Sequence, residues 1–349
     1  MVIGTHKRTR IRKMIGRLTT GLLLSMMSTV SAQTIKLATI APEGSAWMDS
    51  MRSGAAEIGE RTDGRVKFKF YGGGVMGNDK QVLRKMRIGQ LHGGAFPSSA
   101  LAEFQKDSVL YAMPLLFNDL KEVQFVRNLM DDKLREQLEQ AGYVNFGIAG
   151  GGFAHLMSTR PVANLDNLKT VKVWIPDGDT IAYGAIRALG VSPVTMPLTD
   201  VLTGLQTELI DTIMSPPVAT IVFQWNTSVS YITELPVAYI YAMMVVDKKY
   251  FSKILPDDQV IVREVMERVY RGFDEQGNTD NKKAYQALLD DGMRSVTPDL
   301  GQIPQWRNVV QESNHKLVKE GVVSESLLLE LECYLAAYRT GAPIEGCQQ

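Results

Sequence analysis

Residues 165–217 read LDNLKTVKVWIPDGDTIAYGAIRALGVSPVTMPLTDVLTGLQTELIDTIMSPP, where short apolar segments alternate with segments of helical periodicity. The apolar segments, predicted to be strands, lie at 172–175, 191–196 and 209–214. Helices are predicted at about 181–189, with Asp177 or Asp179 as N-cap, and at about 198–207. Strand, helix, strand, helix, strand with short links is typical of an α/β fold with parallel strands. Ligands bind beyond the carboxyl ends of such strands, so we expect the site near residues 174–177 and 214–216.

Residues 1–32 are predicted to be a cleavable signal peptide and not part of the fold. Six basic residues precede an apolar run at 18–30, and Val30-Ser31-Ala32 places small residues at the cleavage positions. The alternative is a membrane anchor, but this run contains several Ser and Thr residues and is shorter than the roughly 20 residues that span a bilayer. We therefore expect a periplasmic protein that is cleaved after Ala32.

Composition bounds the function classes. The chain of 349 residues is long enough for two domains. It has 38 basic and 38 acidic side chains, and the six basic residues of the leader leave the mature chain acidic, which disfavours nucleic acid as a partner. The two cysteines, Cys333 and Cys347, suit a disulfide in an oxidising compartment, with two free thiols as the alternative. We expect no metal site and no cofactor.

The rest of the chain continues the alternation of strands and helices. A helix begins near Ala46, and helix pairs are predicted at 120–130 and 133–142. Gly150-Gly151-Gly152 follows a strand and suits a crossover between domains. A long helical pattern covers about 258–293, with Gly272 and Gly277 as candidate break points.

Several motifs, in order, resemble the periplasmic substrate-binding proteins of TRAP transporters, the DctP type. The motifs are Phe70-Tyr71-Gly72-Gly73-Gly74-Val75-Met76-Gly77, Met113-Pro114-Leu115-Leu116-Phe117, residues 168–176 (LKTVKVWIP), residues 188–194 (ALGVSPV), residues 205–211 (LQTELID) and residues 255–259 (LPDDQ). The resemblance implies a two-domain α/β periplasmic binding protein fold of the type II kind, connected by a hinge and spanned by one long helix. We predict domain I at 33–152 plus about 242–292, and domain II at 153–241 plus about 293–349.

The resemblance also implies closure around a small ligand, delivery to the TRAP membrane subunits and, in some relatives, a helical-repeat accessory protein. In the family, an arginine of the Leu-Lys-Gly-Leu-Lys-Ile-Arg-Val-Pro motif pairs with a ligand carboxylate, and this position is Trp174 here. A second basic position corresponds to Ala154, beside His155. A buried carboxylate without a partner is strongly disfavoured, so we expect an apolar or aromatic ligand instead of a dicarboxylate.

The expected ligand-binding residues are polar or aromatic side chains near the strand ends and the opening loop. They are Trp174, Trp47, Glu43, Phe96, Ser98, Phe153, His155, Pro176, Asp177, Met214, Ser215, Phe223 and Tyr239. For the aromatic residues the alternative is a place in the core, and for Ser98, Asp177 and Asp179 it is helix capping.

Two other functions are alternatives to a transport receptor. An enzyme is disfavoured because the chain has no Gly-x-Ser-x-Gly, His-Glu-x-x-His or Walker motif and only four histidines. A receptor that feeds a sensor kinase or chemoreceptor instead of a permease remains an alternative, since both need only a closing cleft.

Overall fold

The computed structural model describes Met1 and residues 32–347. The predicted signal peptide therefore lies outside the described residues, except for its first and last positions. Within residues 32–347, no helix is both long and apolar enough to cross a bilayer.

The described residues form strands and helices that alternate along the chain. The strands are β1 (Gln33–Thr39), β2 (Val66–Tyr71), β3 (Gly93–Pro97), β4 (Tyr143–Asn145), β5 (Ala149–Ser158), β6 (Trp174–Pro176), β7 (Val194–Met196), β8 (Thr212–Ser215), β9 (Tyr231–Thr233), β10 (Ala238–Asp247) and β11 (Arg294–Val296). The helices are α1 (Ala46–Arg61), α2 (Asp79–Arg87), α3 (Ser98–Leu101), α4 (Leu120–Gln140), α5 (Leu165–Leu168), α6 (Thr180–Ala188), α7 (Val201–Gln206), α8 (Pro217–Val222), α9 (Lys248–Phe251), α10 (Pro256–Asp290), α11 (Ile303–Lys319) and α12 (Glu325–Thr340).

Two long strands, β5 and β10, connect the two ends of the main sheet. In the described part of the chain this sheet runs β11-β9-β5-β10-β3-β1-β2, with β4 added to β10 and β8 added to β5. The first part of β5 pairs antiparallel with β10, and its last residues pair with β8 and β9. β10 continues in the other direction to pair with β3 and β4. Both strands thus cross the middle of the molecule.

The stretch at 165–217 folds largely as its pattern predicts. β6 and β7 pair in parallel, and α6 lies between them in the chain, with its N-cap Asp179 accepting a hydrogen bond from Ala182 N at 2.9 Å. β8 differs from the prediction, because its main partner is β5 in antiparallel orientation. It meets the parallel strands through a single bridge between Val173 and Thr212.

Two helical predictions were wrong in their boundaries. The helix pair expected at 120–130 and 133–142 is one continuous helix, α4. The long helix α10 is not broken at Gly272 or Gly277. Gly277 lies against β5 so closely that a Cβ there would be 2.4 Å from Gly150 O, which explains a glycine at this position without a break.

The main sheet is buried on both sides. One hydrophobic cluster joins strands β1, β2 and β10 to α1 and α10, and another joins β3 and β10 to α2, α4 and α12. The C-terminal helix α12 therefore shares a core with α4, and Cys333 on α12 forms a disulfide with Cys347. The domain boundaries proposed above remain a prediction. They assign α12 to domain II and α4 to domain I, although these two helices pack in one hydrophobic cluster.

Candidate ligand-binding site

A cavity of about 830 Å³ lies at the carboxyl ends of β1, β3, β6 and β8, where the strand order places a ligand. Helices α1, α8 and α10 form the rest of its wall. Eight of the predicted ligand-binding residues line it: Trp47, Phe96, Ser98, Trp174, Pro176, Met214, Ser215 and Phe223. The volume falls within the range of about 300–1,000 Å³ that is usual for small-molecule sites.

Trp174 lines the cavity and is also part of the core. Only 3% of its surface is exposed, and its indole packs edge-on against Trp225 with ring centroids 5.6 Å apart. Its Nε1–H donates to Met196 O at 3.0 Å. Because this donor is already used, Trp174 offers a ligand only carbon surface and no hydrogen bond.

Ser98 and Ser215 differ in what their hydroxyls are free to do. Ser215 Oγ donates to Pro216 O at 3.1 Å. Ser98 is 2% exposed and begins α3, whose N-cap residue is Pro97, so its side chain does not cap the helix. Within the described residues, the Ser98 hydroxyl has no hydrogen-bond partner. It is therefore available to a ligand.

Five of the predicted residues do not line the cavity. Glu43 is exposed and pairs with Arg52 at 2.7 Å, which lowers the pKa of Glu43. Phe153 and Tyr239 pack against each other in a hydrophobic cluster. Asp177 bonds to Lys80 Nζ at 2.8 Å in a neighbouring cleft. His155 lies near Thr233 O, and burial lowers its pKa, which favours the neutral imidazole.

Charged side chains on the cavity wall leave a surplus of carboxylates. The charged residues among those that line it are Glu57, Asp179, Asp280 and Arg268. Arg268 forms an ion pair with Glu57, so the single cation of this set is already bound to a carboxylate. Desolvation raises the pKa of Asp179 to about 6, against the hydrogen bonds from its helix N-terminus that lower it. The electrostatics of this wall disfavour an anionic ligand.

A buried guanidinium near the cavity, that of Arg127, is also fully engaged. It donates to Asp131 at 2.8 Å, to Ile148 O at 3.1 Å and to the hydroxyl of Tyr239 at 3.1 Å, and it pairs with Asp274. This network ties α4 to β5, β10 and α10. Burial costs the guanidinium solvation, but its anionic partners raise the pKa of Arg127 overall, so it remains charged.

Apart from Trp47, none of the predicted site residues lies on α1 or α10. One face of each helix lines the cavity, including Ser50 and Ser53 of α1 and Gly272 and Asn281 of α10. Asn281 joins the site to its surroundings, since Nδ2 donates to Gly151 O at 2.6 Å and Oδ1 accepts from Val218 N at 3.2 Å. The glycines in the helical pattern were a signal, but they were interpreted as candidate break points.

The two positions where the resemblance implies basic side chains are both on the cavity wall. Ala154, on β5, pairs with Ala238 of β10, and Trp174 begins β6. The two residues whose identity favours an apolar ligand therefore line the same cavity.

Comparison with known proteins identifies relatives across most of the chain. The uncharacterized protein YiiZ of Salmonella typhimurium is 24% identical over 201 residues, which cover 56% of this chain and 61% of that protein. The chain thus matches about three fifths of the length of YiiZ. The C4-dicarboxylate-binding periplasmic protein DctP of Rhodobacter capsulatus is 23% identical over 242 residues, 68% of this chain and 72% of that protein.

Solved structures show the same fold. A TRAP periplasmic solute binding protein from Sulfurospirillum deleyianum, with bound succinate, superposes with a TM-score of 0.77 at 17% identity, covering 86% of this chain and 99% of that chain. This likeness confirms the predicted two-domain α/β fold of periplasmic binding proteins. The sequence profile of the DctP family, described as bacterial extracellular solute-binding protein, family 7, matches residues 37–320. The chain therefore belongs to the bacterial extracellular solute-binding proteins of family 7.

Proposed function

We propose that this solute-binding protein receives an apolar or aromatic ligand in the periplasm and delivers it to the membrane subunits of a TRAP transporter. The role of solute receptor follows from the family, whose members are receptors and not enzymes. The proposal adds the class of ligand, export through cleavage after Ala32, and the transporter as the partner. It includes no helical-repeat accessory protein, because no described feature selects one.

The proposed ligand class rests on the lack of an unpaired cation among the described residues of the cavity wall. A carboxylate ligand moved from water into a site of this kind needs a cationic partner to offset its lost solvation. Positions 154 and 174 hold Ala and Trp, and Arg268 is already paired with Glu57. The lining is also rich in apolar side chains, which stabilise an apolar ligand by removing its surface from water.

Mass spectrometry of compounds extracted from protein purified without refolding tests the ligand class. We expect an apolar or aromatic compound in stoichiometric amount. Isothermal titration with succinate provides the second arm, and we expect no binding at millimolar concentration. A stoichiometric small hydrophilic diacid in the extract, or micromolar succinate binding, would refute the proposed ligand class.

The proposed delivery partner has its own test. We expect the open reading frames beside this gene to encode the membrane subunits of a TRAP transporter. A neighbouring sensor kinase or chemoreceptor without these subunits would refute delivery and favour signalling.

A further inference from the structure

The cavity continues as a groove between α1 and α10. On α10 the lining residues form a continuous helical face, namely Arg268, Val269, Gly272, Phe273, Gln276, Gly277, Asp280 and Asn281. The first and last of these are thirteen residues apart, which at 1.5 Å per residue is about 20 Å. On α1 and its N-cap residue, the lining runs from Ser45 to Glu57. The wall is therefore much longer than a four-carbon diacid.

Contacts between α1 and α10 show the relative direction of the two helices along the groove. Trp47, at the start of α1, stacks on Phe273 at 5.4 Å, whereas Glu57, near the end of α1, pairs with Arg268. The helices are thus antiparallel. One end of the groove lies at Trp47 and Gly277, beside the strand ends, and the other lies at the exposed pair of Glu57 and Arg268.

Gly272 is unusual for its position in the middle of α10. A Cβ built there meets no atom within 4 Å, so packing does not require a glycine. Glycine in a helix interior destabilises the helix relative to alanine. Gly272, Ser50 and Ser53 are exposed on the cavity wall, so the groove is open to solvent there, while the two helices touch where Gly54 lies against Val269. These small residues leave open space along the helix contact in which a guest molecule can lie.

Two polar side chains on the cavity wall, those of Ser98 and Asp179, have hydrogen-bonding capacity left for a ligand. Ser98, with 2% of its surface exposed, lines the cavity and has no side-chain partner within the described residues. Asp179 also lines it. Its Oδ1 accepts a hydrogen bond from Ala182 N at 2.9 Å, and no described Lys, Arg or His forms an ion pair with its carboxylate. A ligand group that donates hydrogen bonds suits both side chains, whereas an anionic group is repelled by the carboxylate of Asp179.

We propose that the cargo is an elongated molecule with a hydrogen-bond-donating head, an amine or an alcohol, at Ser98 and Asp179, and an apolar tail in the α1–α10 groove. This inference rests on the proposed function and names the shape and the polar group of its apolar ligand. It assigns Gly272 as the residue that determines how long a tail the site accepts.

Titration with defined probes tests the shape. The probes are butylamine, octylamine and dodecylamine, with benzylamine as a compact aromatic amine, followed by isothermal calorimetry. We expect affinity to rise about fourfold with each methylene that enters the groove. If benzylamine binds and the longer alkylamines bind no more tightly than butylamine, the elongated cargo is refuted while the apolar ligand class survives. If succinate binds and no amine does, the proposed function itself fails.

A pair of helix-interior glycines separates the groove from helix stability. Gly272→Leu fills the groove, and Gly59→Leu is the matched control, because Gly59 lies on α1, also has open space at its Cβ and does not line the cavity. Both substitutions should leave the protein folded and equally or more stable. We expect Gly272→Leu to lower dodecylamine affinity at least tenfold and to leave butylamine unchanged, with no effect of Gly59→Leu. Equal dodecylamine affinity in all three proteins would overturn the role of the groove.

The head group has a separate test. Dodecanoate should bind at least tenfold more weakly than dodecylamine, and dodecanol should bind between them or as well as the amine. Asp179→Asn keeps an N-cap and removes the charge, so it should reduce the preference for the amine over the carboxylate. A preference for dodecanoate in the native protein would overturn the proposed head group.

Discussion

Replacing Trp174 with alanine separates the structural role of its indole from its place on the cavity wall. The side chain is almost fully buried, packs against Trp225 and belongs to a cluster that includes Ile213 and Leu288. Truncating a buried aromatic side chain typically costs about 3–5 kcal/mol. Because one neighbour of Trp174 is the cavity, we expect the lower end, about 3 kcal/mol of the free energy of unfolding.

The hydrogen bond of Trp174 contributes a smaller part. Its partner, Met196 O, also accepts a hydrogen bond from Asp177 N at 3.1 Å, so removal of the indole does not leave this carbonyl unpaired. Trp174→Phe keeps most of the aromatic surface and loses the N–H, which should cost about 1 kcal/mol. This variant is the control for packing.

Urea unfolding of the ligand-free proteins, followed by far-UV circular dichroism, measures both changes without relying on tryptophan fluorescence. The slope of the free energy of unfolding against urea should be the same in all three proteins. A cost below about 1 kcal/mol for Trp174→Ala would refute the assignment of the indole to the core. It would leave Trp174 as a ligand contact alone.

Three further predictions concern the stability of the ligand-free protein. Cys333→Ser removes the disulfide to Cys347, which closes a loop with a sequence separation of 14. The variant should have a free energy of unfolding about 3 kcal/mol lower than the native protein. Dithiothreitol should lower the stability of the native protein and have no further effect on the variant. Asp179 has a pKa of about 6 in the folded protein, above its ordinary value of 3.8, so the folded state binds more protons and stability falls as pH rises from about 4 to 6. Asp179→Asn should therefore be more stable than the native protein at pH 7, by roughly 1–2 kcal/mol, and nearly equal at pH 4; an unchanged pH dependence in urea titrations would contradict this. Arg127→Met leaves the carboxylate of Asp131 without its cation and should cost about 3–5 kcal/mol, whereas a loss under 1 kcal/mol would show that the network does not stabilise the fold.

Features with a local cause were predictable from the sequence. Asp179 precedes a helical pattern and can reach its first backbone N–H groups, so a capping role is visible in the chain itself. The parallel pair of β6 and β7 follows from two apolar segments separated by one helix. Cys333 and Cys347 had only each other as partners in the chain.

Features that depend on distant partners were not predictable. Tyr239 was expected at the site because it is aromatic and lies in a strand, but its hydroxyl accepts a hydrogen bond from Arg127, 112 residues away. The groove between α1 and α10 requires that two helices almost 200 residues apart in the chain pack antiparallel. The place of Gly272 on the cavity wall can be recognised only once that packing is known.

The charge of the ligand depends on cations from several parts of the chain. The absence of arginine at positions 154 and 174 does not by itself exclude an acid, because a cation from another element can take over the role. Arg268 lines the cavity and Arg127 lies near it, and each of these guanidiniums is already paired with a carboxylate. An anionic ligand at Arg127 would have to compete with the carboxylates of Asp131 and Asp274, and one at Arg268 would have to compete with Glu57. Positions 154 and 174 supply no cation, and the two guanidiniums on or near the wall are held by carboxylates, so the described residues leave no unpaired cation for an anionic ligand at this site.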